Sequence, residues 1–357
     1  MNIFNRVALQ ALKKARTRTI VTIIGVILSV AMITAVTTFI ASLQNNLIQG
    51  TIAKSGDWQV KFRDVNSNFL QKAASEEEVK TVAVMQNVGY TPLPGGTNPS
   101  KPYLYVTGLD DAAFRTIPLK LKAGRLPQNS GEIIVPAHIE ATGGAQLHVG
   151  DSVTWALGGR TIEGKKVWQN TPFQNGEREN SAKETFAEET VKTFTIVGIF
   201  KRPSFEEYAA PGYTAITKMD LERGEGKNSL DVYVTLKKPG KIYEYAKRIG
   251  ANTTHEFNQD LLLFYGVSTN DSFNAVLYSL GGILIIMIMI GSILLIYNSF
   301  AISVSERARQ FGILSSVGAT QKQLQKSVLF EGVCIGMIGI PLGLLAGVGG
   351  IGITLHF

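Results

Sequence analysis

The sequence predicts a membrane α-helical protein with three transmembrane helices and a large extracytoplasmic α+β domain. Three observations carry this expectation. First, among 357 residues, no Asp, Glu, Lys or Arg occurs between Arg18 and Lys54, between Asp271 and Glu306, or after Glu331. Each window holds the roughly 20 apolar residues needed to cross a hydrocarbon core. Second, the net charge of +7 is segregated: residues 1–18 hold Arg6, Lys13, Lys14, Arg16 and Arg18 and no acid, and residues 304–330 hold Arg307, Arg309, Lys322 and Lys326 against Glu306. With Glu331 these two patches account for the whole net charge, which leaves residues 19–303 neutral. Third, strand-like and helix-like patterns interleave from residue 57 to residue 251, the signature of an α+β domain.

Residues 1–18 form a basic segment whose apolar Ile3, Val7, Leu9 and Leu12 lie on a different face from the Lys/Arg set, which suits a short helix along the inner leaflet. Residues 19–43 are the first span. A cleaved signal peptide shares the basic start, but the apolar stretch is longer than a typical h-region and Gln44-Asn45-Asn46 follows it without a small-x-small site, so an uncleaved anchor is expected. Spans two and three fall at residues 273–302 and 328–355. Lys/Arg counts place residues 1–18 and the loop 303–327 on the cytoplasmic side of a plasma membrane and residues 44–272 outside. Basic residues beside apolar runs set orientation, whereas a phosphate-binding surface needs them clustered on the folded domain, so no nucleic-acid partner is expected.

Within residues 44–272, "DWQVKFR" alternates Trp58, Val60 and Phe62 as a strand with one buried face. Further strands are expected at 81–90, 103–108, 132–135, 152–157, 191–200, 213–216 and 230–236, with helices at 66–74, 110–117, 136–142 and 242–251. The polar residues 159–190 read as an excursion, a hairpin or a mobile loop. Residues 43–55 and 257–275 read as stalks that continue the membrane helices.

Little in this domain has catalytic spacing. There is no G-x-S-x-G and no H-E-x-x-H. "GEGKNS" at 224–229 fails as a phosphate loop: Leu221 stands where the first Gly belongs, and Asn228 where Ser or Thr would hold magnesium. The carboxylates Glu76 to Glu78, and Glu188 with Glu189, are contiguous and diverge into solvent. Cys334 is the single cysteine, so no intrachain disulfide forms, and His138, His148, His255 and His356 lack metal-ligand spacing. No enzymatic activity and no metal are expected.

The loop between the last two spans is "ERARQFGILSSVGAT". Thr320 with Gln323 is a capping box that starts a helix at Gln321. Gly318 is placed as a left-handed cap that closes a short preceding helix over 307–317. Phe311, Leu314 and Val317 share one side of that helix and offer an apolar face for a partner. In the last span Gly332 and Gly336 are four apart, as are Gly339, Gly343 and Gly347, which makes a stripe for close helix packing. Pro341 is expected to kink it.

The stretch from Glu306 to Gly347 resembles the core motif of FtsX-like permeases, E-R-x-R-E-x-G-x-L-x-x-x-G-A-T followed by a Glu and a glycine-stepped span. Glu306, Arg307, Arg309, Gly312, Leu314, Gly318, Ala319, Thr320 and Glu331 match, and Gln310 replaces the usual Glu. Upstream, Gly124, Arg125, Glu132, Val135, Gly150, Asp151, Val153, Val197 and Gly198 stand where a MacB-like periplasmic core domain has its G-R, acid-plus-aliphatic, G-D-x-V and V-G-I motifs.

The resemblance implies the permease subunit of an ABC transporter. It would hold no cofactor itself, since ATP and magnesium sit on a separate ABC ATPase that docks on the inner loop at Glu306, Arg307, Arg309, Phe311, Gly312, Leu314, Gly318, Ala319 and Thr320. Its closure would move the outer domain, for export or handling of peptides, antibiotics or lipoproteins. An alternative is a mechanotransmitting regulator of a cell-wall hydrolase or sensor kinase, and a plain anchored binding domain needs no inner docking helix at all. Membrane lipid, an extracytoplasmic adaptor and a second permease copy or half are further implied partners. Single-repeat members have four spans, so three spans imply a fragment of a four-span or two-repeat permease.

Overall fold

The computed structural model describes residues 3–14, 16–176, 183–220, 229–251, 253–267, 271–306, 312–313, 315–316 and 318–356. The chain divides into two units, residues 47–268 and the pair of segments 1–46 and 269–357.

The 47–268 unit is built on one mixed sheet: β1 (Val60–Val65), β2 (Val79–Pro92), β3 (Tyr103–Leu109), β4 (Leu121–Gly124), β5 (Glu132–Pro136), β6 (Ser152–Ile162), β7 (Lys165–Val167), β8 (Thr185–Phe200), β9 (Gly212–Lys218), β10 (Leu230–Leu236) and β11 (His255–Phe257). The strand order is β11-β1-β10-β2-β3-β9-β5-β8-β6-β7, with β4 on β8. Strands β3 and β9, and β5 and β8, run parallel. A further pairing of Tyr90 with Gly158 joins β2 to β6. Six strands, β2-β3-β9-β5-β8-β6, therefore close into a ring, while β10, β1 and β11 extend from it as a flank.

A closed ring has one inward face, and side chains alternate across a strand. Leu104, Val106, Ile133, Val135, Phe194 and Ile196 accordingly meet in one buried cluster with Trp155 and Tyr213. The flank buries Val60, Phe62, Val232 and Val234 against α3 (Ser67–Ala74) and α6 (Ile242–Ile249), whose Ile242, Tyr245, Ala246 and Ile249 face inward at helical spacing. Asn66 caps α3 by accepting from the Phe69 N–H at 2.9 Å. Asp110 caps α4 (Asp111–Thr116) through the Ala113 N–H at 2.6 Å and also accepts from Val84 N–H of β2 at 3.1 Å, which ties helix to sheet. Helix α5 (His138–Gly143) ends on left-handed Gly144.

Two expectations need correction, and one choice between alternatives is decided. Trp58 precedes β1 and leaves the face of Val60 and Phe62; it packs edge-on against Tyr233 at 5.4 Å. Of the two readings of residues 159–190, hairpin or mobile loop, the described part takes the hairpin. Strands β6 and β8 stay paired out to Thr161 and Thr185, and β7 folds back on β6. Residues 257–264 are no stalk, because β11 and α7 (Gln259–Phe264) belong to the globular unit and Leu261 and Leu262 are fully buried there.

The other unit is helical: α1 (Ile3–Lys14), α2 (Arg16–Ser55, whose last turns from residue 47 belong to the first unit), α8 (Asp271–Glu306) and α9 (Gln321–His356). Among the described residues, two helices are long and apolar enough to cross a membrane, within Thr19–Ser55 and Gln321–Gly352. Helix α8 is continuous over 36 residues, but its described apolar stretch, Gly281–Leu294, is shorter than a span. Two of the three expected spans thus meet the criterion. Helix α9 is unbroken through Pro341. Leu12 of α1 packs with Val26 and Ile335, and the Thr19 hydroxyl donates to Leu12 O at 2.9 Å, which fastens α1 to the foot of α2.

Candidate functional site

The inner loop is described in part. Arg307, Arg309, Phe311, Leu314 and Val317 lie outside the described residues, as does the side chain of Glu306, which ends α8. Gly312 is helical and exposed. Gly318 has φ +97, a left-handed conformation in which a side chain is strained, and its N–H donates to Ser315 O at 3.0 Å. Ala319 is half-buried and Thr320 exposed. The Thr320 N–H donates to Gln323 Oε1 at 2.9 Å, and its carbonyl accepts from the Gln323 and Leu324 N–H groups at 3.0 and 3.2 Å. A left-handed glycine and a capped helix start are therefore adjacent, and α9 begins at Gln321.

The glycine stripe divides. Gly332 and Gly336 are half-buried, and a Cβ on Gly336 would meet Ile340 of its own helix at 3.6 Å. Gly339, Gly343 and Gly347 are buried against α2: a Cβ on them would lie 2.7 Å from Val26, 2.6 Å from Val30 and 2.7 Å from Thr34. Both series rise by four, so α2 and α9 run in the same direction, turn against turn. Glu331 and Ile335 continue the buried line toward the start of α9.

In the globular unit the motif residues converge, but on structural tasks. Gly124 has φ +75 and sits so close to β8 that a Cβ would be 2.2 Å from Val197 O. Arg125 grips Glu132 through two contacts of 2.6 Å. That hydrogen bonding, with the Gln128 N–H, overcomes desolvation and holds the Glu132 carboxyl at about 2. Asp151 accepts from the His148 N–H at 2.8 Å and turns the chain into β6. These contacts pin β4, β5 and the turn before β6 onto β8.

Two buried charge clusters went unseen in the sequence. Arg160 is fully buried, bonded to Glu184 at 3.0 and 2.6 Å and to the Trp168 and Thr171 carbonyls at 3.1 and 3.2 Å, with Tyr90 and Tyr103 stacked on it. Glu206, with no side-chain exposure, accepts from Lys101 at 2.6 Å, His138 Nε2 at 3.0 Å and the Thr214 N–H at 2.8 Å. Burial opposes its charge, but His138 and Lys101 outweigh it and hold the carboxyl at about 2. Beside Glu206 opens a cleft of about 510 Å³, floored by β1, β10 and β2 and walled by residues 166–171 and 204–207. Its floor carries Lys61, buried between Asp231 at 3.1 Å and Glu256 at 3.7 Å. Burial works against the Lys61 charge, yet Asp231 raises its pKa above the ordinary value. Period-2 alternation did place Lys61 and Arg63 opposite Val60 and Phe62; nothing local announced that this second face is covered.

The described residues hold two helices long and apolar enough to cross a membrane and one large α+β unit. Two family descriptions match the chain, the MacB-like periplasmic core domain over residues 19–251 and the FtsX-like permease C-terminal part over residues 282–356. The chain belongs to this permease family, a membrane component of ABC transporters that works with an ABC ATPase. Among solved structures, the extracellular domain of the noncanonic ABC-type transporter YknZ from Gram-positive bacteria is similar at 11% identity and TM-score 0.33, over 56% of this chain and 98% of that one. A domain described as part of a permease protein from Porphyromonas gingivalis is similar at 10% identity and TM-score 0.28, over 56% and 86%. No curated protein matches the chain.

Proposed function

We propose that this chain converts ATP-driven motion of a separate ATPase into movement of its outer domain, as the permease subunit of a transporter for peptides, antibiotics or lipoproteins. The observation that supports this reading is the left-handed Gly318 set directly before the capped start of α9 at Gln321. The ATPase, which holds ATP and magnesium, docks on the stretch before Gly318 through Phe311 and Leu314, with Arg307 and Arg309 beside them. A push on the start of α9 passes to α2 through Gly339, Gly343 and Gly347, and α2 is continuous to Ser55. Three spans, with residues 1–18 and 303–327 inside and the 47–268 unit outside, complete the reading. The parallel course of α2 and α9 supports it, because it requires α8 to return between them.

The test is co-purification. Phe311→Asp puts a charge on the docking face and is expected to abolish recovery of the ATPase with the tagged permease. Full recovery with a folded variant would refute docking at this face. In a Cys334→Ser background, Lys165→Cys, on the exposed β6–β7 hairpin, is expected to react with an impermeant maleimide on intact cells. Reaction only after lysis would reverse the topology.

A further inference from the structure

The cleft beside Glu206 is assigned no role by the coupling reading. Its cations are already committed. Lys61 is held by Asp231 and Glu256, and Arg63 lies 2.7 Å from Glu256 and 3.7 Å from Glu207. Lys166, on the opposite wall, rests over the Trp168 ring at 4.7 Å. Its carboxylates are not all committed. Glu207 is 50% exposed and only loosely held by Arg63. Asp64 is exposed, and among the described residues its carboxylate has no hydrogen bond or ion pair; the Asp64 contact is its backbone N–H to Asp231 Oδ1 at 3.1 Å.

Asp64 also sits at φ 52, left-handed, on the irregularity where β1 slips against β10 between Phe62 and Val65. Such a bulge re-aims a side chain, and Asp64 here lines the cleft. Aromatic surface lies alongside, from Trp58 with Tyr233 on one side and Trp168 and Phe205 on the other. The Trp168 indole N–H is buried without a hydrogen-bond partner among the described residues. Free carboxylates beside aromatic rings attract organic cations, which gain both charge pairing and cation–π contact. The volume is that of a small-molecule site.

We propose that this cleft binds a cationic ligand, an amine or guanidinium on an apolar body, with Asp64 and Glu207 receiving the charge and Trp58 and Trp168 the apolar part. The chain has three tryptophans, and Trp155 is buried in the ring, so two of the three report on the cleft. The experiment titrates the full chain in detergent with phenylalanyl-arginine amide, which adds no indole, and follows tryptophan fluorescence. A saturable change is expected, with phenylalanyl-glutamate giving none. Asp64→Asn/Glu207→Gln, which retains a residue tolerant of the left-handed backbone, is expected to weaken binding roughly five- to tenfold with an unchanged melting curve. Asp64→Asn alone repeats the test should the double variant fail to fold. Absence of saturation up to the solubility limit, equal binding of the acidic peptide, or wild-type affinity in a folded variant would each overturn the proposal.

Discussion

Gly343→Ala is the sharpest test of the helical unit. The added Cβ would stand 2.6 Å from Val30 Cβ and 2.9 Å from Ile27 O. Carbon atoms pack at about 3.5–4.0 Å, so α2 and α9 must part by roughly 1 Å locally. A gap of that size forfeits about a quarter to a half of each affected dispersion contact, and overpacking costs about 1–3 kcal/mol. Alanine's better helix propensity returns about 1 kcal/mol. The net loss is about 0–2 kcal/mol at one site, about 1–3 kcal/mol relative to a Gly→Ala change that meets nothing, and more for the Gly339, Gly343 and Gly347 triple variant, because all three positions face the same helix. Gly349 is the control, since a Cβ there meets nothing within 4 Å. The assay uses the single cysteine: Cys334 packs beside Leu12, Val26 and Ile335, so a fluorogenic maleimide reports its unmasking on heating. Gly343→Ala is expected to lower that midpoint by roughly 5 °C and the triple variant by roughly 10 °C or more, while Gly349→Ala leaves it unchanged or raises it. A Gly343→Ala midpoint equal to that of Gly349→Ala would refute the α2–α9 contact, and with it the route by which motion of α9 reaches α2.

Arg160→Ala leaves Glu184 buried and uncompensated and is expected to destabilise the globular unit by about 3–5 kcal/mol. Arg160→Met/Glu184→Leu, measured by chemical unfolding, should recover most of that loss. Glu206 titrates at about 2 instead of its ordinary 4.5, so its contribution, on the order of 3 kcal/mol, is fully present above pH 4.5 and is lost as pH falls toward 2. Unfolding curves of wild type and Glu206→Gln, followed by tryptophan fluorescence, should differ at pH 7 and converge near pH 2. Gly124→Ala combines a left-handed backbone with a Cβ 2.2 Å from Val197 O, and is expected to cost about 2–4 kcal/mol in the same assay.

The features legible in the sequence were those written locally. A charge-free window, a Thr-x-x-Gln box and a glycine before it each act within a few residues: Gly318 takes the left-handed backbone, and Gln323 reaches back to the Thr320 N–H, while the Gln323 N–H bonds the Thr320 carbonyl and not its hydroxyl. The four-residue glycine step announced a close contact without naming the opposing helix, since Val26, Val30 and Thr34 lie some 300 residues upstream. Arg160 was hidden for a different reason. It sits in a polar stretch that local composition assigns to solvent, and only the return of β8 with Glu184 and the closing of residues 168–171 over it remove it from water. The cleft is the extreme case. Lys61 and Arg63 come from β1, Asp231 from β10 and Glu256 from β11, so no local window contains both members of any of these ion pairs. Their charges also cancel along the sequence, which is why residues 19–303 look neutral and uninformative. Neutrality of the sum conceals an uneven placement: the floor cations are paired, Asp64 is not, and that difference exists only once three distant strands lie side by side.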